Sequence, residues 1–298
     1  MDATWLRAVI RAGTVFAILA LAMLWPGLNL ADTHAYWVAP LGDLYGSARA
    51  GGADAYLYAP AFAQALAPFK ALPWPAFAGL WLLLLAVCLV AIAGPWAILI
   101  ALIPPVLIEL QAGNIHLLLV LAIGLGLRYP SSWAFVLLTK PTLGIGLLWF
   151  MVRREWRQLA IALGSTVLVG AVSFIAAPAA WTDWIQALIA NAGHPISPDY
   201  SGVIHVPLLV RLPIAAAVVI WGARTDRPWT IAVAATLALP VLWVNGLVVL
   251  LAAPMLIGTE TIRSRIVALR SGGSRYLRAA GGHAHQLAVS EEADALRE

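Results

Sequence analysis

Residues 29–72 read NLADTHAYWVAPLGDLYGSARAGGADAYLYAPAFAQALAPFKAL, the longest polar-bearing interruption between the first apolar run and the rest of the chain. An acid, Asp32, stands where an apolar helix has just ended, and Tyr56, Tyr58 and Pro60 stand where apolar sequence resumes. An acid so placed sits at a membrane surface. The remainder of the chain reads as a membrane scaffold that presents this loop.

The composition supports that reading. Of 298 residues, 62% are hydrophobic and 11% charged, with a mean hydropathy of +0.88. Water-soluble domains carry about 25% charged residues. Apolar runs follow one another with little between them, at Val9–Leu30, Pro73–Ala93, Trp96–Leu110, Ile115–Leu127, Trp133–Val152, Leu159–Ala176, Leu208–Trp221, Ile231–Leu239 and Val241–Ile257. Backbone groups in lipid must be satisfied within their own segment, so these runs read as helices and the fold class as an all-α polytopic integral membrane protein. Several runs fall short of the roughly 20 residues a full span needs. Short or broken transmembrane helices are therefore expected beside the polar residues.

Lysine occurs only as Lys70 and Lys140, and the other cations are arginines at the ends of runs. The basic balance is thus a matter of membrane topology and excludes neither enzyme nor transporter, but it gives no reason to expect nucleic-acid binding. Cys88 lies in an apolar run, can form no internal disulfide, and reads as a small buried hydrophobe. Arg7 and Arg11 precede an apolar run, and bulky Asn29 disfavours cleavage at Ala31, so the first helix reads as an uncleaved signal anchor with a cytoplasmic N-terminus.

Arginine placement predicts that Arg7, Arg11, Arg128, Arg153, Arg154, Arg157, Arg224, Arg227, Arg263, Arg265 and Arg270 face the cytoplasm, with Asp32, Asp43, Asp54, Asp183 and Asp199 outside. To hold these arginines inside, the chain turns back near Lys140-Pro141 and again near Pro240–Asn245. A competing topology, which arginine counting barely separates from the first, makes Tyr58–Leu72 a short span with Lys70 inside and Trp133–Val152 a single crossing with Arg128 outside. Between Pro178 and Val203 a tryptophan-bearing amphipathic helix is expected in the outer interface. Residues 1–258 read as one membrane domain carrying the outer loop 31–72, and 259–298 as a polar cytoplasmic tail. No nucleotide-binding loop, HExxH, paired CxxC or serine elbow occurs.

Polar residues inside apolar runs are costly to keep and mark candidate sites. Lys140, in LLTKPTLG, needs an anion: it is either an interfacial anchor or a ligand for a lipid phosphate. Arg211, in VPLLVRLPIA, poses the same choice. Glu109, with Gln111, Asn114 and His116, forms either a sugar-binding cluster or a polar knot between helices. His34, His194 and His205 lack metal-ligand spacing. Asp32, on these grounds alone, is a loop-entry or helix-capping residue.

The order of motifs adds to this. Asp32-Thr33-His34-Ala35-Tyr36-Trp37 resembles a D-x-x-x-Y motif, and Tyr58-Ala59-Pro60-Ala61-Phe62 a Y-P-P-x-F motif with one proline replaced. Gly113-Asn114-Ile115-His116 loosely resembles a G-Q-x-N turn, Lys140-Pro141-Thr142 a K-P-T motif leading to an arginine-rich turn, and Pro240-Val241-Leu242-Trp243 an S-P-x-x-W motif. Taken together, and in this order, they resemble glycosyltransferase family 87, the polyprenyl-phosphate-sugar-dependent mannosyltransferases and arabinofuranosyltransferases with the GT-C membrane fold. The resemblance implies that a bacterial plasma-membrane enzyme transfers mannose or arabinofuranose from a polyprenyl-phosphate donor to a lipid or glycan acceptor on the extracytoplasmic face, inverting the anomeric centre. It implies Asp32 as general base and Lys140 and Arg211 as donor-phosphate ligands. Tyr36, Trp37, Tyr58, Asn114, His116 and Trp243 would contact substrate. It also implies that Tyr58–Leu72 is an outer juxtamembrane helix, and that no metal or other cofactor is required. A lipid transporter would share the cavity and the buried cation but predicts pseudo-symmetric halves. A catalytically silent assembly partner would tolerate the loss of Asp32.

Overall fold

A computed structural model describes residues 3–24, 27–46, 49–192 and 201–258 of the chain. His194, Asp199 and the expected tail 259–298, with Arg263, Arg265 and Arg270, lie outside the described residues. The chain divides into a unit Met1–Leu256 and a second unit Ile257–Glu298, and the helical bundle is the first of these.

The protein is an all-α polytopic membrane protein. Among the described residues its helices are α1 (Ala3–Leu24), α2 (Ala31–Val38), α3 (Pro60–Leu66), α4 (Trp74–Ala93), α5 (Ala97–Ala101), α6 (Pro104–Ala112), α7 (His116–Leu125), α8 (Trp133–Thr139), α9 (Leu148–Val152), α10 (Trp156–Ala176), α11 (Pro178–Ala192), α12 (Leu208–Thr225) and α13 (Thr230–Leu237). Tighter 3₁₀ turns at Pro141–Leu147 and Val244–Leu251 complete the bundle. Among the described residues four stretches are long and apolar enough to cross a membrane: Thr4–Leu24, Trp74–Ala101, Trp156–Ala176 and Leu208–Thr225. Their exposed Phe16, Val87, Leu168, Phe174, Ile175 and Leu209 are what a lipid-facing surface requires.

Elsewhere the apolar runs are broken, and each break has a chemical cause. The run Trp96–Leu110 splits where Pro104-Pro105 opens α6; proline has no N–H for the preceding turn and starts helices more readily than it continues them. Helices α6 and α7 bend by 114° at Gly113-Asn114, and together they make at most one broken span. Lys140 ends α8, ahead of Pro141 and the 3₁₀ turn. Helix α3 has seven residues, too few to cross a bilayer, and starts at the proline of the Tyr58-Ala59-Pro60 motif.

The bend at Gly113 is locked from several sides. Gly113 has φ +68°, in the left-handed region. Its carbonyl accepts from the Thr33 hydroxyl at 3.0 Å and from the Trp81 indole N–H at 2.7 Å. The Leu30 N–H donates to the Gln111 carbonyl at 2.8 Å, which ties the start of α2 to the end of α6. A β-carbon at Gly113 would stand 1.8 Å from Thr33 Oγ1. Only glycine fits both the dihedral and the space.

The loop between α1 and α4 is packed rather than loose. Tyr36, Tyr58, Phe62 and Trp81 make edge-on and tilted aromatic contacts, the Tyr45 hydroxyl donates to the Tyr58 carbonyl at 2.6 Å, and the Ala59 N–H donates to the Leu138 carbonyl at 3.0 Å. That last bond fastens the loop's end to the last turn of α8, beside Lys140. Helix α11, the amphipathic element, leaves Ile185 and Ile189 exposed. It joins the loop through Trp184 Nε1 to the Leu57 carbonyl (3.1 Å) and through Asn191 Oδ1, which accepts from the Ala50 N–H (2.7 Å).

A second lock joins α12 to the end of α13. Arg211, buried on α12, donates to the carbonyls of Leu237 (2.5 Å), Leu239 (2.8 Å), Pro240 (3.3 Å) and Val206 (2.7 Å). These include carbonyls left over where α13 ends, which have no helical partner of their own. The guanidinium thereby caps α13 and staples it to α12.

Breaking either lock costs stability. Gly113→Ala lowers stability by about 2–3 kcal/mol, from a left-handed dihedral and a clash with a stiff, hydrogen-bonded threonine, seen as a lower Tm in detergent; an unchanged Tm would mean the bend is not constrained in this way. Arg211→Met, which strands several buried carbonyls, destabilises by about 3 kcal/mol or more. An unchanged Tm combined with weaker binding of a phosphate-bearing lipid would instead return Arg211 to the ligand role expected from the sequence.

Candidate active site

The locked bend brings four polar side chains from separate segments to one place. Asp32, in the first turn of α2, is partly buried, and its Oδ2 accepts from Asn114 Nδ2 at 2.8 Å. Asn114 Oδ1 accepts the Ile115 N–H at 2.7 Å, so the amide is oriented with its NH₂ toward the acid. Among the described residues Asp32 Oδ1 has no protein partner and remains a free acceptor. Burial raises the Asp32 carboxyl above its ordinary value; the Asn114 bond opposes this, the Glu109 charge adds to it, and Lys140 and His116 oppose it. The acid is thus a stronger base, once ionised, than a solvated aspartate.

Behind Asp32 lies a chain of buried polar groups. Glu109, with 0% exposure, closes the start of α7: its Oε1 accepts the His116 N–H at 2.6 Å. Its Oε2 pairs with His116 Nδ1 at 2.8 Å and accepts from Asn245 Nδ2 at 2.9 Å. His116 Nε2 meets Lys140 Nζ at 2.8 Å. With the ring proton on Nδ1 facing Glu109, Nε2 is the acceptor for the lysine ammonium. Lys140 is partly exposed, and the ammonium's other two N–H bonds have no protein partner among the described residues.

The expected site residues divide on this geometry. Asp32, Asn114, His116 and Lys140 come together, with Tyr58 close to Asn114. His116, expected to contact substrate, has both ring nitrogens engaged by Glu109 and Lys140, so its ring presents no free hydrogen-bonding edge to a sugar. Tyr36 and Tyr58 are 2% and 9% exposed, pack into the aromatic cluster and join hydroxyl to hydroxyl at 3.2 Å. Burial holds both phenols well above their ordinary pKa, so they stay protonated supports rather than open stacking faces. Trp37 donates to the Leu72 carbonyl at 3.0 Å and, with Lys70, lines a separate cavity of about 400 Å³. Arg211 is engaged by the carbonyls around the α13 end. The backbone around Trp243 pairs with residues 202–204, and it is Asn245, two residues on, that reaches Glu109.

Sequence reasoning missed Asn245, Thr33 and Trp81 as parts of this site, and it left Glu109 undecided between sugar and packing. A polar side chain at position 245 inside an otherwise apolar run was the available signal.

An acid with one free oxygen, close enough to feel the charge of a cation with free N–H bonds, suits group transfer with an anionic leaving group. The model of glycosyltransferase family 87 matches residues 56–267, a stretch that contains Tyr58, Glu109, Asn114, His116, Lys140 and Asn245 and begins after Asp32. No curated protein and no solved structure matches the chain. The matched stretch is well over half of the 298 residues, and the chain belongs to glycosyltransferase family 87.

Proposed function

We propose that this membrane glycosyltransferase moves mannose or arabinofuranose from a polyprenyl-phosphate donor to a lipid or glycan acceptor on the extracytoplasmic face, with inversion in a single displacement. The observation that carries the proposal is the pairing of Asp32, with Oδ1 unoccupied, and Lys140, with two N–H bonds unoccupied, around the Gly113-Asn114 bend. In this reading the acceptor hydroxyl oxygen attacks the anomeric carbon, the bond from that carbon to the phosphate oxygen breaks, and the hydroxyl proton passes to Asp32. The polyprenyl phosphate leaves with the bonding electrons, and its growing charge is met by Lys140 in a poorly solvated pocket. Asn114 holds the carboxylate so that the free oxygen points at the incoming hydroxyl. General-base assistance of this kind is worth about 10²–10⁴-fold. The α2 segment, placed where the first span gives way to the outer loop, suits a donor whose phosphate lies at the headgroup level.

The test is transfer by the purified protein in nanodiscs, with polyprenyl-phosphate mannose and its arabinofuranose analogue supplied separately over a lipid extract. Asp32→Asn is expected to lower kcat by about 10²-fold or more while the donor KM stays within a few-fold. Equal turnover by mutant and wild type would remove Asp32 from the base role. The pH profile is a second check, because a protonated Asp32 cannot accept the hydroxyl proton: kcat/KM should fall as pH falls, with a midpoint above the ordinary aspartate value of about 4. Activity that stays flat down to about pH 4 would contradict a raised Asp32 carboxyl.

A further inference from the structure

We infer that Glu109 and His116 form a positioning unit that holds the Lys140 ammonium at the site, and that His116 acts through this lysine rather than on the sugar. The rate consequences rest on the reading that Lys140 meets the donor phosphate; the placement of the amine itself does not. Glu109 and His116 are 0% and 1% exposed, and the three groups bond in series from carboxylate to imidazole to ammonium at 2.8 Å each. A buried carboxylate needs donors on its lone pairs, and Glu109 has them in the His116 N–H, the His116 ring and Asn245. The carboxylate therefore fixes the ring tautomer, the tautomer leaves Nε2 as an acceptor, and the acceptor takes one of the three ammonium N–H bonds. The other two are left directed away from His116.

The unit also balances charge. One carboxylate, one neutral imidazole and one ammonium sum to zero, so the lysine can stay charged near the bilayer while no phosphate is bound. A protonated imidazole would set an N–H against the ammonium and break the series. An aliphatic lysine has many rotamers, and a phosphate oxygen would otherwise have to order it at the moment of reaction. Held in advance by Nε2, the amine needs no such ordering. Asn245 sits 136 residues from Glu109 in the chain, and its amide ties the 3₁₀ turn Val244–Leu251 to the same carboxylate.

Two substitutions separate the halves of the unit. In His116→Asn the amide stands where Nδ1 stood and keeps a donor for Glu109, but it reaches no further. In His116→Gln the amide oxygen stands near the place of Nε2 and keeps an acceptor for Lys140. His116→Asn is expected to lower kcat by about 10- to 100-fold with little change in acceptor KM, and His116→Gln to recover much of that loss. The double variant His116→Asn/Lys140→Ala should be no slower than Lys140→Ala alone, within about twofold. Additive losses, or a Gln variant no better than Asn, would overturn the inference.

A readout independent of turnover uses the two lysines of the chain. Full-length protein in nanodiscs is treated with a trace of an acetylating ester, and modification of Lys140 is measured by peptide mass spectrometry against Lys70, whose amine bonds the Ala39 carbonyl. Loss of the Nε2 contact frees the amine, so the Lys140 to Lys70 ratio should rise severalfold in His116→Asn and return toward wild type in His116→Gln. A ratio unchanged in the folded Asn variant would show that His116 does not hold Lys140. A changed ratio in a protein that transfers neither sugar would uphold the positioning unit while refuting the proposed function, so the two claims fail separately.

Discussion

A carboxylate sealed from water must be answered by protein donors, and Glu109 is sealed from water. Its two oxygens draw in the first N–H of α7, the imidazole of His116 and the amide of Asn245. Meeting the first demand requires the chain to turn sharply after α6, since an uninterrupted helix would carry residue 116 about two turns beyond residue 109. The bend at Gly113 follows from that requirement, and from the bend follow the position of Asn114 and the contact with Asp32. What looks like a defect in a transmembrane helix is thus the element on which the site is built.

The same bend recruits the loop between α1 and α4. Thr33 and Asp32 are neighbours on α2, and they grip the two residues of the turn in order, the hydroxyl on the Gly113 carbonyl and the carboxylate on the Asn114 amide. Tyr58 comes close to Asn114 from the other end of the loop, and Ala59 is tied to the last turn of α8 immediately before Lys140. Acid and cation arrive from residues 32 and 140, yet both are placed by short bonds to residues 113–116. Such placement on locked helix ends is more exact than a free loop would allow.

Much of this could be read from residue types and order, for a physical reason. Charged and polar residues in lipid-exposed sequence are expensive, so the few that remain announce themselves: Asp32, Glu109, Asn114, His116 and Lys140 each stand out against an apolar background. Helix breaks at proline and at Gly113-Asn114 are legible for the same reason that short runs are: backbone chemistry is local. Partnership is not. Glu109 to Asn245 and Thr33 to Gly113 are long-range bonds with no periodicity to betray them, and a hydrogen bond has no sequence signature when its partners lie on different helices. Arg211 looks like a ligand in the sequence because a buried cation needs acceptors, but backbone carbonyls at a helix end supply them as well as a phosphate does. Tyr36 and Tyr58 look like sugar platforms because interfacial aromatics are common; their burial depends on how α3 folds back onto its neighbours, which composition cannot report.

If Lys140 and Asp32 act together as proposed, the donor's phosphate lies against the lysine with the anomeric carbon turned toward the acid. The most direct measurement is an experimental structure of the protein in nanodiscs with a non-cleavable phosphonate analogue of the polyprenyl-phosphate sugar. The expected result is a phosphonate oxygen at about 3 Å from Lys140 Nζ, the His116 contact to that amine intact, and Asp32 Oδ1 open on the far side of the sugar. A headgroup seated instead in the cavity beside Trp37 and Lys70, with Lys140 untouched, would contradict it.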